Sequence, residues 1–205
     1  MVRLTDMGRA HFDSQNLLLA SRSPRRRTLL TDAGIPFKVI DSGVDDAQLS
    51  PGHVDPAAWA AALAFLKADG ARRQLDGATD AILLGADTIV VKDGHVVGQP
   101  RDEADARRIL ELLENGSHLV ISGLALIDNR SGHRFVTSDT ARVQVGEIGE
   151  FRIAEYLASG EWRGKAGAYN LSERIDAGWP ISCEGDPATV MGLPIRLLRQ
   201  ALGAV

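Results

Sequence analysis

The amino-acid sequence predicts an α/β fold, and three features carry that prediction. Short apolar runs of strand length alternate along the chain with stretches of helical period, beginning with Leu17-Leu18-Leu19. The helical stretches open on cap signals: Ser23-Pro24, Asp55-Pro56 and Asp102. The chain has 205 residues and is 44% hydrophobic, enough to bury one large core or two modest lobes.

The elements follow in order. Residues 1–16 contain Arg3, Asp6, Arg9, His11 and Asp13, with no apolar core of a signal peptide. They read as a weakly ordered extension, and residues 17–205 as one domain. Leu17-Leu18-Leu19 reads as a buried strand running into a helix that starts at Ser23-Pro24. Arg25, Arg26 and Arg27 occupy its first turn, against the positive end of the helix dipole. Free helix N–H groups, a nearby serine and arginines suit a phosphate; a solvated basic turn is the other reading of the same residues. Gly34 suits the helix end, and residues 37–40 read as a second strand. An acidic loop, Asp41-Ser42-Gly43-Val44-Asp45-Asp46, follows.

Asp55-Pro56 opens an alanine-rich helix to about Leu75, with Trp59, Leu63 and Leu66 as its apolar stripe and Lys67 late in it. Residues 81–88 read as a strand ending in Asp87 and Thr88. Sites in α/β folds gather beyond strand carboxyl ends, where an aspartate binds a metal or acts as a base. A loop-capping Asp-Thr pair is the alternative. Asp93-Gly94 turns a hairpin whose return strand brings Gln99 back beside Asp87. Asp102 caps a helix to about Leu113, with Ile109, Leu110 and Leu113 inward. Residues 118–127 and 134–145 are strand-like, around a turn at 128–132. Residues 147–159 are amphipathic through Ile148, Phe151, Ile153, Tyr156 and Leu157, and Gly160 closes them. A glycine-punctuated loop carries Trp162, Lys165 and Tyr169. Its aromatics can stack on a base, or pack beneath the loop. Gly185-Asp186-Pro187 is a turn, residues 190–195 are apolar, and Pro194 opens a last helix through Leu198.

Composition narrows the function. A net charge of -4 argues against stable nucleic-acid or anionic-membrane binding. Cys183 is the one cysteine, which permits no internal disulfide and fits a reducing compartment. His11, His53, His95, His118 and His133 are scattered without ligand spacing and read as surface or edge residues. No run is long enough to span a bilayer, so a soluble cytoplasmic protein is the expectation. No P-loop or dinucleotide glycine fingerprint occurs.

Four motifs stand in order: Leu19-Ala20-Ser21-Arg22-Ser23-Pro24-Arg25-Arg26, Gly85-Ala86-Asp87-Thr88-Ile89-Val90-Val91, Lys165-Ala166-Gly167-Ala168-Tyr169 and Val190-Met191-Gly192-Leu193-Pro194. Together they resemble the Maf family of nucleoside triphosphate pyrophosphatases, from about residue 17 to the C-terminus. The resemblance implies a mixed, elongated central sheet flanked by helices, with two lobes and a cleft, similar to the inosine-triphosphate pyrophosphatases. It implies a cytoplasmic homodimer that cleaves a nucleoside triphosphate between the α and β phosphates with Mg²⁺ or Mn²⁺. By motif, Ser21 and Arg25 would hold the substrate, Asp87 would be the proton acceptor, Thr88 a specificity position, and Lys67 and Lys165 basic members of the site. Asp46 and Asp87 would ligate the metal.

The chain departs from the family pattern at three of these positions. Asp46 stands where glutamate is usual, one methylene shorter. Gln99 stands at a substrate position usually held by lysine. It can hydrogen-bond an oxygen without neutralising it, and charged hydrogen bonds are worth roughly 1.5–3 kcal/mol against about 1 for neutral ones. Ser172 stands at the substrate position where dTTP/UTP-type members carry glutamine, so thymine or uracil preference is not carried over. Glu184-Gly185-Asp186-Pro187 looks more like the branch acting on methylated guanosine triphosphate. A hydrolase of ordinary or modified nucleotides is the first expectation. A non-catalytic nucleotide-binding or regulatory protein on the same scaffold is the alternative.

Overall fold

The computed structural model describes residues 12, 16–45 and 49–203. Its elements are β1 (Leu17–Leu19), α1 (Pro24–Asp32), β2 (Lys38–Val39), α2 (Pro56–Arg72), β3 (Ile82–Lys92), β4 (His95–Val97), α3 (Glu103–Leu113), β5 (Gly116–Asp128), β6 (Arg134–Val145), α4 (Glu150–Ser159), α5 (Leu171–Asp176), β7 (Ile181–Glu184), α6 (Pro187–Met191) and α7 (Ile195–Leu202). The strands form one mixed sheet in the order β2-β1-β3-β5-β6-β7, with β4 paired to β3. β1 runs parallel to β2 and β3, and the remaining pairs are antiparallel.

The long ladder of β3, β5 and β6 is the spine. β3 pairs with β5 from Ile82 opposite Asp128 to Val91 opposite Leu119. Two of the core clusters on this spine mark its ends. Leu84, Leu124 and Leu126 pack with Leu19, Leu30, Leu193 and Leu198 at one end. Val90, Val120 and Val143 pack with Leu110, Tyr156 and Trp179 at the other. Strands covered on both faces read as continuous apolar runs, as Ile82-Leu83-Leu84 does.

Helix α2 lies directly on the sheet because two strand positions lack a side chain. A Cβ on Gly85 would come 2.1 Å from the Ala64 carbonyl oxygen, and one on Gly123 2.0 Å from that of Ala60. The inward stripe of α2 is therefore Ala60, Leu63, Ala64, Ala68 and Ala71. This corrects the Trp59, Leu63, Leu66 stripe: Leu66 is 39% exposed and Trp59 half-buried.

Local signals account for most boundaries. Asp55 accepts hydrogen bonds from the N–H groups of Ala57 and Ala58, and Asp102 from that of Asp105. Asp93 (φ 50) and Gly94 (φ 78) both adopt positive φ in the β3–β4 hairpin, as a tight turn between twisted strands requires.

Several expectations change. β3 continues through Asp87 and Thr88, so both lie mid-strand and not at a carboxyl end. The second strand shortens to Lys38–Val39, α2 stops at Arg72 and α4 starts at Glu150. Phe151 faces outward and is 82% exposed. The apolar run at 190–195 is divided between α6 and α7, and α5 and β7 are elements with no clear sequence pattern. Phe12, within the expected extension, is buried against the first cluster with its ring 5.3 Å from that of His133.

His118 is also not a surface residue. It is buried in β5, and its Nε2 lies 2.8 Å from the Tyr169 hydroxyl. Burial, with the nearby Lys92 charge, lowers its pKa to about 4. The folded form holds it neutral, while the unfolded chain protonates near pH 6.5. Stability from this group is full above pH 6.5 and is lost as pH falls toward 4, with a ceiling of about 3 kcal/mol. Denaturant unfolding of the wild type and of His118→Gln at pH 7 and pH 4.5 checks this. The wild type loses more stability between the two pH values than the variant does.

Candidate active site

A cleft of about 510 Å³ opens between the start of α1, the middle of β3 and the loop around Gly164. Each wall brings different chemistry.

The α1 wall is basic. Ser23 makes no side-chain cap, and its own N–H donates to Ser21 Oγ at 3.2 Å. Arg26 ties the wall together. Its Nη1 donates to Ser21 Oγ (3.0 Å), its Nε to the Gly192 carbonyl (2.8 Å) and its Nη2 to Thr88 Oγ1 (3.3 Å). Arg25 reaches across the cleft, its Nη2 donating to the Gly164 carbonyl at 3.3 Å. Arg22 pairs with Asp41 on the acidic loop. The motifs assign no role to Arg26, one of three neighbouring arginines. The usable signal is that helical side chains lean back toward the N-terminus, which brings the third residue of α1 over Ser21.

The floor is β3. Asp87 is buried, and Lys67 of α2 donates to its Oδ1 at 2.5 Å. The close seat of α2 on Gly85 and Gly123 is what brings Lys67 over the strand. Beside it, Thr88 Oγ1 lies 2.8 Å from Ser122 Oγ, and Ser122 donates to the Thr189 carbonyl at 2.7 Å. Ser122 has one proton, so Thr88 donates to Ser122 and accepts from Arg26. Toward the cleft, Thr88 offers a lone pair.

The far wall is apolar, with Val90, Val120, Val190 and the ring of Tyr169 among its members. The Tyr169 hydroxyl is engaged by His118, and burial pushes it well above the usual phenol range. Asn170 also lines the cleft. Trp162 packs beneath the loop, its indole N–H donating to the Leu157 carbonyl at 3.1 Å.

Ser21, Arg25, Lys67, Asp87, Thr88 and Gln99 thus line one cavity. Lys165 does not line it; its ammonium is buried in an ion pair with Glu173. Ser172 is exposed outside the lining, and its hydroxyl donates to Asn170 Oδ1 at 2.9 Å. Asp46 lies outside the described residues. A second cavity of about 410 Å³ shares Ser21, Arg22 and Lys67 with the first and is bounded by Asp41 and Asp45.

The arrangement suits a chain of phosphates. Arg25, Arg26 and Lys67 supply positive charge, and α1 opens toward the cleft with acid-free first-turn residues. Among the described residues no three His, Cys, Asp or Glu side chains converge as a metal cage. Mg²⁺ is commonly held by one or two carboxylates together with substrate phosphates, and the buried Asp87 carboxylate beside this cavity fits that donor set.

The family model described as Maf-like protein matches residues 16–205. The dTTP/UTP pyrophosphatase of Alkaliphilus metalliredigens is 39% identical over 188 residues, covering 92% of this chain and 95% of that protein. That of Moorella thermoacetica is 40% identical over 186 residues, covering 91% and 93%. Among solved structures, the Staphylococcus aureus Ham1 protein aligns with a TM-score of 0.43 at 12% identity, covering 64% of this chain and 72% of that one.

Proposed function

The chain belongs to the Maf-like family, and from that premise we propose that its cleft hydrolyses a nucleoside triphosphate between the α and β phosphates. The products are the nucleoside monophosphate and pyrophosphate. One juxtaposition carries the reading: a buried carboxylate, Asp87, held by Lys67, in the same cavity as the basic start of α1.

In this mechanism Ser21, Arg25 and the α1 amides grip the phosphates. Arg26 keeps Ser21 and Thr88 in place. Lys67 fixes the Asp87 carboxylate through Oδ1, and the other carboxylate oxygen takes the proton from the attacking water. Fixed charges already aimed at the reacting phosphates need no rearrangement at the moment of reaction. A divalent ion, Mg²⁺ or Mn²⁺, would neutralise phosphate charge and acidify a bound water. Asp87 would hold it with phosphate oxygens, and Asp46 belongs to the same proposal.

The names of the relatives favour a thymine or uracil base. The glutamine usual at the position of Ser172 is absent, so a different group reads the base here. The methylated guanosine triphosphate suggested by residues 184–187 stays in the test panel. No helix among the described residues is long and apolar enough to cross a membrane. Cytoplasmic residence and a homodimer complete the proposal, and sedimentation velocity measures the second.

The test is a panel of dTTP, UTP, CTP, GTP, ATP and methylated guanosine triphosphate with Mg²⁺ or Mn²⁺. Equimolar pyrophosphate and monophosphate are expected from at least one of them. Orthophosphate alone, or no turnover, contradicts the proposal. The engagement of Lys165 by Glu173 favours a second reading, a nucleotide binder without turnover, because it withdraws a cation from the cleft. Calorimetric binding with no products under either metal would select that reading.

A further inference from the structure

We infer that Asn170 is a specificity-determining residue whose amide nitrogen donates a hydrogen bond to a keto oxygen of the base. The inference rests on the cleft being a nucleotide site.

Asn170 is only 7% exposed, yet it lines the cleft. It is also the N-cap of α5, and the cap determines which way its amide faces. Its Oδ1 accepts from the backbone N–H of Glu173 at 3.2 Å and from Ser172 Oγ at 2.9 Å. A backbone N–H can only donate, so the atom facing it is the oxygen. The remaining group is Nδ2, a pure donor. Among the described residues it has no hydrogen-bond partner and it is not fully buried, and the residue that carries it lines the cleft.

Neither Tyr169 nor Thr88 competes with it as a donor. The Tyr169 hydroxyl is engaged by His118, so Tyr169 offers the cleft its ring. Thr88 offers a lone pair because its proton goes to Ser122. The phosphates belong at the basic α1 wall, which leaves the apolar wall of Val90, Val120 and Tyr169 for the base. Uracil, thymine and guanine carry a keto oxygen where cytosine and adenine carry an amino group. The keto oxygen accepts from Nδ2. The amino group sets donor against donor and leaves both without a partner, the kind of mismatch that discriminates strongly between ligands.

Asn170→Asp preserves size and cap while replacing the donor by an acceptor. Asn170→Ser preserves a capping oxygen and removes Nδ2, leaving only a shorter hydroxyl that stops short of the Nδ2 position. The measurement is calorimetric affinity for α,β-methylene UTP against α,β-methylene CTP, and for the matching GTP and ATP analogues, in wild type and both variants. Reading ratios cancels any uniform effect of the added charge. The wild type should favour the keto member of at least one pair by tenfold or more. Asn170→Ser should bring that ratio close to one, and Asn170→Asp should lower it at least tenfold or invert it. Which pair discriminates tells a pyrimidine site from a purine site. Equal wild-type binding within both pairs, no binding of any analogue, or a wild-type ratio kept by both variants would overturn the inference. The expected ratios without turnover of ordinary triphosphates remove only the proposed hydrolysis. Turnover with ratios insensitive to Asn170 removes only this inference.

Discussion

Asp87→Asn lowers the rate of pyrophosphate release by a factor on the order of 10²–10⁴, the usual contribution of a positioned acid or base. Asparagine matches aspartate in shape and can still accept from Lys67 through its carbonyl oxygen, so the fold survives. The variant lacks the negative charge that takes a proton or holds a metal. Acting as the base alone, Asp87 contributes only in the transition state, so its loss falls on kcat with KM unchanged or lower; acting as a metal holder, its loss also raises the metal concentration needed for half-maximal rate. Steady-state kinetics with a thermal melt as the folding control measures this. Retention of more than a tenth of wild-type kcat would remove Asp87 from the chemistry. Metal titration separates its two roles: excess Mn²⁺ restores part of the activity if Asp87 chiefly holds the metal, and none if it is chiefly the base.

Gly123→Ala is the second large effect, and it acts through packing. The added Cβ would sit 2.0 Å from the Ala60 carbonyl oxygen and 2.3 Å from its carbon. Those atoms are helix backbone and cannot rotate aside, so α2 must lift from β5. Forcing extra atoms into a packed core costs roughly 1–3 kcal/mol, occasionally more. For a chain of this size each kcal/mol lowers Tm by about 2–4 °C. Gly98→Ala is the control, since a Cβ there meets nothing within 4 Å. It should stay within about 0.5 kcal/mol of wild type. Because α2 carries Lys67, Gly123→Ala should also reduce activity more than its melting temperature alone explains. A melting temperature equal to that of Gly98→Ala would contradict the close seat of α2 on the sheet.

Much of the site was legible because its signals are local. A serine and three arginines at a helix start, and an acid followed by a hydroxyl in an apolar strand, can be read within a few residues. The structure brings Ser21, Arg25, Asp87 and Thr88 into one cavity. What could not be read depends on distant partners. Leu66 fits a helical stripe by spacing, but Gly85 and Gly123 decide that Ala60 and Ala64 face the sheet. His118 looks like an edge residue until Tyr169, a distant neighbour in sequence, meets it in the core. Lys165 reads as a free cation for the same reason: Glu173, on a helix too short to announce itself, takes the charge. Asp87 reads as a strand end because periodicity does not reveal that β5 pairs with β3 on both sides of it.

The role assigned to Ser21, Arg25, Lys67 and Asp87 is tested most directly by phosphorus NMR of one triphosphate turned over by the wild-type protein. Cleavage between the α and β phosphates gives a pyrophosphate signal and a monophosphate signal of matching intensity, and Asp87→Asn gives neither over the same interval. Orthophosphate and nucleoside diphosphate signals would contradict this reading of the cleft, as would product formation by Asp87→Asn at the wild-type rate.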